Sequence, residues 1–110
     1  MYNEPPGLPR FAITVTPDQV KVVLSGEFDV TSELFLADRL AHVRQERPRR
    51  LVFEAAQVTF LDCASARLIA GTEAWLPPGV KPVIVCPPPV VRRIFQASGL
   101  DAHCELRDRG

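Results

Sequence analysis

The sequence predicts an α/β domain: a mixed sheet of four or five strands, opened by an antiparallel hairpin, with three or four flanking helices. Three observations point there. Phe11, Ile13 and Val15, then Val20, Val22 and Leu24, alternate with more polar neighbours on either side of Pro17-Asp18. Leu51-Val52-Phe53 and Val83-Ile84-Val85-Cys86 are short runs apolar throughout. Between and after those runs lie stretches with the 3.6-residue period of helices, bounded by capping residues, proline or glycine.

Taken in order, residues 1–10 carry three prolines and a glycine and no apolar period, so they are expected to be a flexible leader to a domain over 11–110. The hairpin follows, its second strand ending at Gly26. The first helix opens at Val30-Thr31-Ser32-Glu33. Thr31 is its expected cap, Glu33 lies in its first turn, and Val30 is placed to staple against Phe35. Leu36, Leu40 and Val43 continue the buried stripe until Pro48 forbids further helix. Leu51–Phe53 reads as a central strand covered on both faces, with residues 55–63 as the loop after it.

Leu68, Ile69, Thr72, Trp75 and Leu76 then fall at helical spacing, ended by Pro77-Pro78-Gly79. Gly71 interrupts that helix, costing about 1 kcal/mol relative to alanine, and is expected to allow close packing against the sheet or a partner, with the sheet slightly favoured. Val83–Cys86 is a second buried strand. Pro89 suits the first turn of a third helix, and Gly99 its left-handed end with Leu100 in contact. Cys104-Glu105-Leu106 closes the chain as a short edge strand. Strand–helix alternation implies parallel pairing, which gathers the loops after the strands at one end of the sheet. Asp29 and Asp62 are therefore expected to share that end.

Composition narrows the function. Thirteen basic and thirteen acidic residues cancel, leaving no net field to attract nucleic acid or an anionic membrane. No apolar run approaches the roughly 20 residues that span a bilayer, and the N-terminus lacks a signal-peptide pattern, so neither membrane insertion nor export is expected. Cys63, Cys86 and Cys104 are odd in number and widely spaced, which disfavours disulfides and zinc and fits a reducing cytoplasm.

Catalytic readings fare poorly. Cys63 would sit at a helix N-terminus, where a thiol can become nucleophilic. Its spacing to Arg67 is nevertheless two residues short of the cysteine-phosphatase loop, and no glycine supplies a phosphate cradle. A triad would need His42 or His103, one in mid-helix and one near the tail. An aspartyl-phosphate site at Asp29, Asp62 and Glu54 lacks a nearby lysine, since Lys21 and Lys81 lie in strand-like stretches. No dinucleotide, P-loop or zinc-protease motif is present, so no cofactor and no metal are expected, and the chain reads as a non-enzyme. The plain role of Asp62 is a helix N-cap, with Ser65 at the third helical position, exposed or bonded locally.

Three blocks carry a family resemblance: GEFDV at 26–30, LVFEAAQVTFLDCASARLI at 51–69 and VVRRIFQASGL at 90–100. In order and separation they resemble the STAS domain of anti-sigma factor antagonists, whose members read G-E-L-D-V, then F-x-D-S-S-G-L, then a helix with R-x-[FL]-x-x-x-G-L. The resemblance implies a binding protein. Its partner would be an anti-sigma factor, commonly a serine kinase of the histidine-kinase-like ATPase superfamily, whose capture frees a sigma factor in the bacterial cytoplasm. It implies a partner surface of Asp29, Thr31, Asp62, Cys63, Ala64, Ser65 and Arg67.

In the family, a kinase phosphorylates the second serine of D-S-S-G and so breaks docking. Here Asp62 takes the acid, Cys63 the first serine, Ala64 the phosphoacceptor and Ser65 the glycine, so the usual acceptor has no hydroxyl. Either binding runs without that switch, or Ser65 serves as a displaced phosphorylation site, or the module has another role; loss of the switch is favoured. The other role is a STAS subunit of a larger complex, stressosome-like or part of an ABC lipid transporter.

Overall fold

The computed structural model describes residues 7–109, so most of the expected leader lies outside the described residues. The part that is described is held in place: the Gly7 carbonyl accepts the Glu27 amide at 2.9 Å, and Arg10 already opens the first strand. Five strands form one sheet in chain order, β1 (Arg10–Val15), β2 (Val20–Phe28), β3 (Leu51–Leu61), β4 (Val83–Val85) and β5 (Glu105–Arg107). β1 and β2 are the antiparallel hairpin, and every later pair is parallel. Three α-helices intervene, α1 (Glu33–Gln45), α2 (Cys63–Ala70) and α3 (Pro89–Ala97), with short 3-10 turns at 30–32, 71–75 and 100–103. Among the described residues no helix is long and apolar enough to cross a membrane.

The core is a single cluster. Val20, Val22 and Leu24 of β2 meet Leu51 and Phe53 of β3, and Leu36, Leu40 and Val43 of α1, Ile69 of α2 and Phe95 of α3 complete it. These are the apolar positions that the two periodicities select, and burying each large one contributes about 1.5–3 kcal/mol before entropy is counted. β3 lies at the centre of the sheet as expected, but it is not covered on both faces. Val52 and Glu54 alternate as half-buried residues with buried Leu51, Phe53 and Ala55, and Glu54 pairs with Lys21 at 3.1 Å on the outer face. β4 is buried along its whole length.

Two strands run further than their sequences suggest. β2 passes through Gly26 to Phe28, and β3 continues eight residues beyond Phe53, through the stretch expected to be a loop. The parallel register slips between Val23 and Ser25 and again between Gly26 and Glu27. These irregularities space the buried residues Ala55, Val58 and Leu61 three apart and hide the two-residue period. Gly26 is obligatory, since its φ is +85° and a Cβ there would lie 2.1 Å from the Leu8 carbonyl oxygen.

Two helical expectations are corrected. The second helix stops being α-helical at Ala70 and tightens into the 3-10 turn Gly71–Trp75. Gly71 does not pack against the sheet: it is exposed, and a Cβ would meet nothing within 4 Å. Further on, Pro89 opens α3 and Gly99 is left-handed at φ 75°, as the sequence suggests, whereas the edge strand begins at Glu105, one residue later than expected, and Cys104 is buried just before it. Cys86 falls outside β4, exposed and with a φ of 55°.

Candidate docking surface at the start of the second helix

β2 and β3 end side by side, Phe28 opposite Leu61, so the residues that follow each strand emerge together. Asp29 and Asp62 thus share one end of the sheet, and each caps the helical turn that begins there. At the first turn the cap is Asp29 and not Thr31. Its carboxylate accepts the Thr31 amide at 2.9 Å and the Thr31 hydroxyl at 2.6 Å. Ser32 completes a capping box by accepting the Asp29 amide at 2.9 Å. The Thr31 hydroxyl and the backbone donors hold the Asp29 carboxyl below the usual carboxylate range. Aspartate displaces threonine here because the chain leaves β2 at Phe28, one residue before the turn begins.

At the second turn the Asp62 carboxylate accepts the Ser65 amide at 2.8 Å, satisfying one of the donors that a helix start leaves orphaned. The amide of Asp62 donates to the Phe28 carbonyl at 3.0 Å, and the Ser65 hydroxyl donates to the same oxygen at 3.4 Å. Both strand ends and both caps are thereby tied into one unit.

Of the proposed surface, Thr31 and Arg67 are exposed, and Asp29, Asp62, Cys63 and Ala64 are half-buried. Ser65 is the exception. It is 0% exposed, so it forms part of the support beneath the turn and offers nothing to a visitor. The expectation of a Ser65 side chain exposed or bonded locally is corrected, since its hydroxyl is buried and reaches Phe28 in another strand, and that burial weighs against phosphorylation there, because a dianion at this position would be desolvated against the Phe28 carbonyl. Cys63, Ala64 and the Asp62 rim leave a low, smooth turn, with no long side chain until Arg67.

Three exposed apolar residues beside these turns were not anticipated. Val30, in the 3-10 turn 30–32, is 75% exposed and Leu34, in the first turn of α1, is 85% exposed, so Val30 does not staple to Phe35. Phe35 instead lies under the Arg39 guanidinium, 5.4 Å from the ring centre. Phe60, 43% exposed, stands opposite Glu27 just before the Asp62 turn. Leu34 was visible in principle, because it lies roughly 200° around the helix from Leu36, away from the buried stripe.

The remaining reactive side chains are engaged elsewhere. His103 pairs with Glu73 at 2.9 Å, His42 lies against the Asp38 carbonyl at 2.8 Å, and burial pushes the Cys104 thiol up to about 12. Among the described residues no group of three or more His, Cys, Asp or Glu is arranged to hold a metal.

The same fold is found in proteins of known structure. An anti-sigma factor antagonist from Mycobacterium paratuberculosis superposes with a TM-score of 0.83 at 24% identity, covering 96% of this chain and 91% of that one. The unphosphorylated anti-sigma factor antagonist SpoIIAA superposes with a TM-score of 0.67 at 18% identity, over 88% of this chain and 87% of that one. The Bacillus cell fate determinant SpoIIAA in its phosphorylated form gives 0.65 at 23% identity, over 88% and 90%. No curated protein sequence matches the chain significantly. The sequence model of the STAS domain matches residues 10–109, and the chain belongs to the STAS domain family.

Proposed function

We propose that the protein is a non-catalytic anti-sigma factor antagonist of a bacterial cytoplasm, which binds an anti-sigma factor at the start of α2 and so influences sigma-factor-dependent transcription. The observation that carries this reading is the Asp62 turn. Its cap is satisfied internally, its support is buried, and its outer surface is made of small half-exposed side chains. Such a turn lets another protein approach the helix start closely. The structural neighbours are named as antagonists of anti-sigma factors, which supports the same partner class.

The partner expected is a kinase-like anti-sigma factor, and the docking runs without the serine switch. SpoIIAA occurs in unphosphorylated and phosphorylated forms. Here the residue in the matching motif position is Ala64, and the neighbouring Ser65 hydroxyl is buried. Binding should therefore be constant whether or not the kinase has ATP.

The experiment is a direct affinity measurement between this chain and each purified anti-sigma factor of its host. One of them should bind the wild-type chain, with the same affinity after incubation with ATP, and Ala64→Trp should abolish binding while the circular dichroism spectrum is kept. Absence of binding by every anti-sigma factor would overturn the reading.

A further inference from the structure

On the outer side of α2 a groove of about 330 Å³ runs between the helix with its 3-10 extension and the turn at 100–103. Its floor and walls are Ala70, Gly71, Ala74 and Leu100, with Arg67 at one end and the Glu73–His103 pair, 2.9 Å apart, at the other. Four positions along the helix, Ala64, Arg67, Gly71 and Ala74, fall on one stripe that leads from the Asp62 turn into this groove, a length of about 15 Å at 1.5 Å per residue.

Two features of the groove have no explanation within the domain. Gly71 has an ordinary right-handed φ of −64°, and a side chain there would meet open space, so neither backbone nor packing requires glycine. Arg67 is exposed at the groove mouth and forms no ion pair among the described residues, whereas Glu73 at the other end is paired with His103. A lining of small apolar groups beside an unmatched guanidinium is complementary to an apolar side chain carried next to a carboxylate.

We infer that the groove is the second half of the docking surface: it receives a helix of the anti-sigma factor, which seats one apolar side chain over Gly71 and pairs an Asp or Glu with Arg67. The inference rests on the proposed antagonist function and assigns that partner a second point of attachment, one the Asp62 turn does not reach. Small residues on the stripe let the two helices approach closely, and the carboxylate fixes their register.

The test uses the full chain and the purified anti-sigma factor that binds it, with three variants measured by calorimetry and by thermal melting. Gly71→Leu fills the groove without touching the Asp62 turn. It should weaken binding by about tenfold or more, as loss of a central pocket does, while melting no lower than wild type. Arg67→Glu should weaken binding comparably, and Arg67→Lys should recover part of it. Ala64→Trp reports on the Asp62 turn alone.

Wild-type affinity for Gly71→Leu and Arg67→Glu, with binding lost in Ala64→Trp, overturns the groove and leaves the antagonist function standing. Wild-type affinity in all three, or no anti-sigma factor bound by the wild-type chain, overturns both. A change of self-association in Gly71→Leu by sedimentation, with partner affinity unchanged, assigns the groove to a second copy and also overturns the inference.

Discussion

The amide of Asp62 donates to the carbonyl of Phe28 at 3.0 Å, so the residue that caps α2 is itself fixed to the end of the neighbouring strand. The cap therefore does two separable things. Its backbone closes the sheet end, and its carboxylate satisfies the Ser65 amide at 2.8 Å. Asp62→Ala leaves the first intact and removes the second, which should lower unfolding stability by about 1 kcal/mol in a denaturant titration. Asp62→Asn keeps a capping oxygen and loses the charge. It should unfold within a few tenths of a kcal/mol of wild type. A partner that reads the charge will bind this variant weakly, and one that reads only the shape will not distinguish it.

Ala64 lies half-buried on the outer face of the same turn, next to a residue whose hydroxyl is out of reach. Ala64→Ser supplies a hydroxyl at that outer position for a helix-propensity cost of roughly 0.5 kcal/mol. Incubated with a kinase-type anti-sigma factor and ATP, this variant should gain one phosphoryl group and lose affinity. The wild-type chain should gain none in intact-mass spectrometry. Phosphate found on Ser65 of the wild-type chain would show that the turn opens and that the switch is displaced.

Ser65 belongs to the fold more than to the interface. Its hydroxyl shares the Phe28 carbonyl with the Asp62 amide, and the longer of the two bonds, 3.4 Å, is its own. Ser65→Ala therefore leaves no orphaned acceptor and should cost at most about 1 kcal/mol. Ser65→Glu places an ionised group where the serine is fully enclosed and should cost several kcal/mol, of the order that burying an unpaired charge demands. A Ser65→Glu chain with wild-type melting would mean that the pocket under the turn is open to water.

Much of the fold was legible because its elements follow simple periods. Val20, Val22 and Leu24 alternate, Leu36, Leu40 and Val43 recur at helical spacing, and Pro89 and Gly99 bracket α3. The far half of β3 was not, because two register shifts against β2 break the alternation just where Ala55, Val58 and Leu61 turn inward. At the candidate site the sequence placed Asp29 and Asp62 at one sheet end and Asp62 at the cap. The inward turn of Ser65 depends on how α2 leans on the ends of β2 and β3, a tertiary fact with no local signature. The freedom around Gly71 was misjudged for the same reason, since a glycine in a helical pattern does not say which side its missing side chain would occupy.

Gly71 accordingly offers room for stabilisation. With a φ of −64° and open space at the Cβ position, Gly71→Ala should raise stability by up to about 1 kcal/mol, seen as a higher denaturant midpoint with an unchanged slope. A lower midpoint would show that the exposed backbone at this position is held by something the glycine alone permits.

Cys104 should contribute to the loss of stability in alkali. Burial is the main cause that pushes its thiol up to about 12 from an ordinary 9.0, with Glu73 adding to the shift. A folded-state value above the unfolded one means the neutral thiol is favoured in the native protein. Its contribution to stability is fully present below pH 9.0 and is lost as pH rises toward about 12, because the unfolded chain ionises first. Denaturant midpoints should accordingly fall across that window in the wild-type chain and fall less in Cys104→Ala, whose baseline stability is lower from the lost packing. The same burial should protect Cys104 from alkylation at pH 8 while exposed Cys86 reacts. Equal labelling rates at the two thiols in the native state would contradict the burial, and a pH profile unchanged by Cys104→Ala would assign the alkaline loss to other groups.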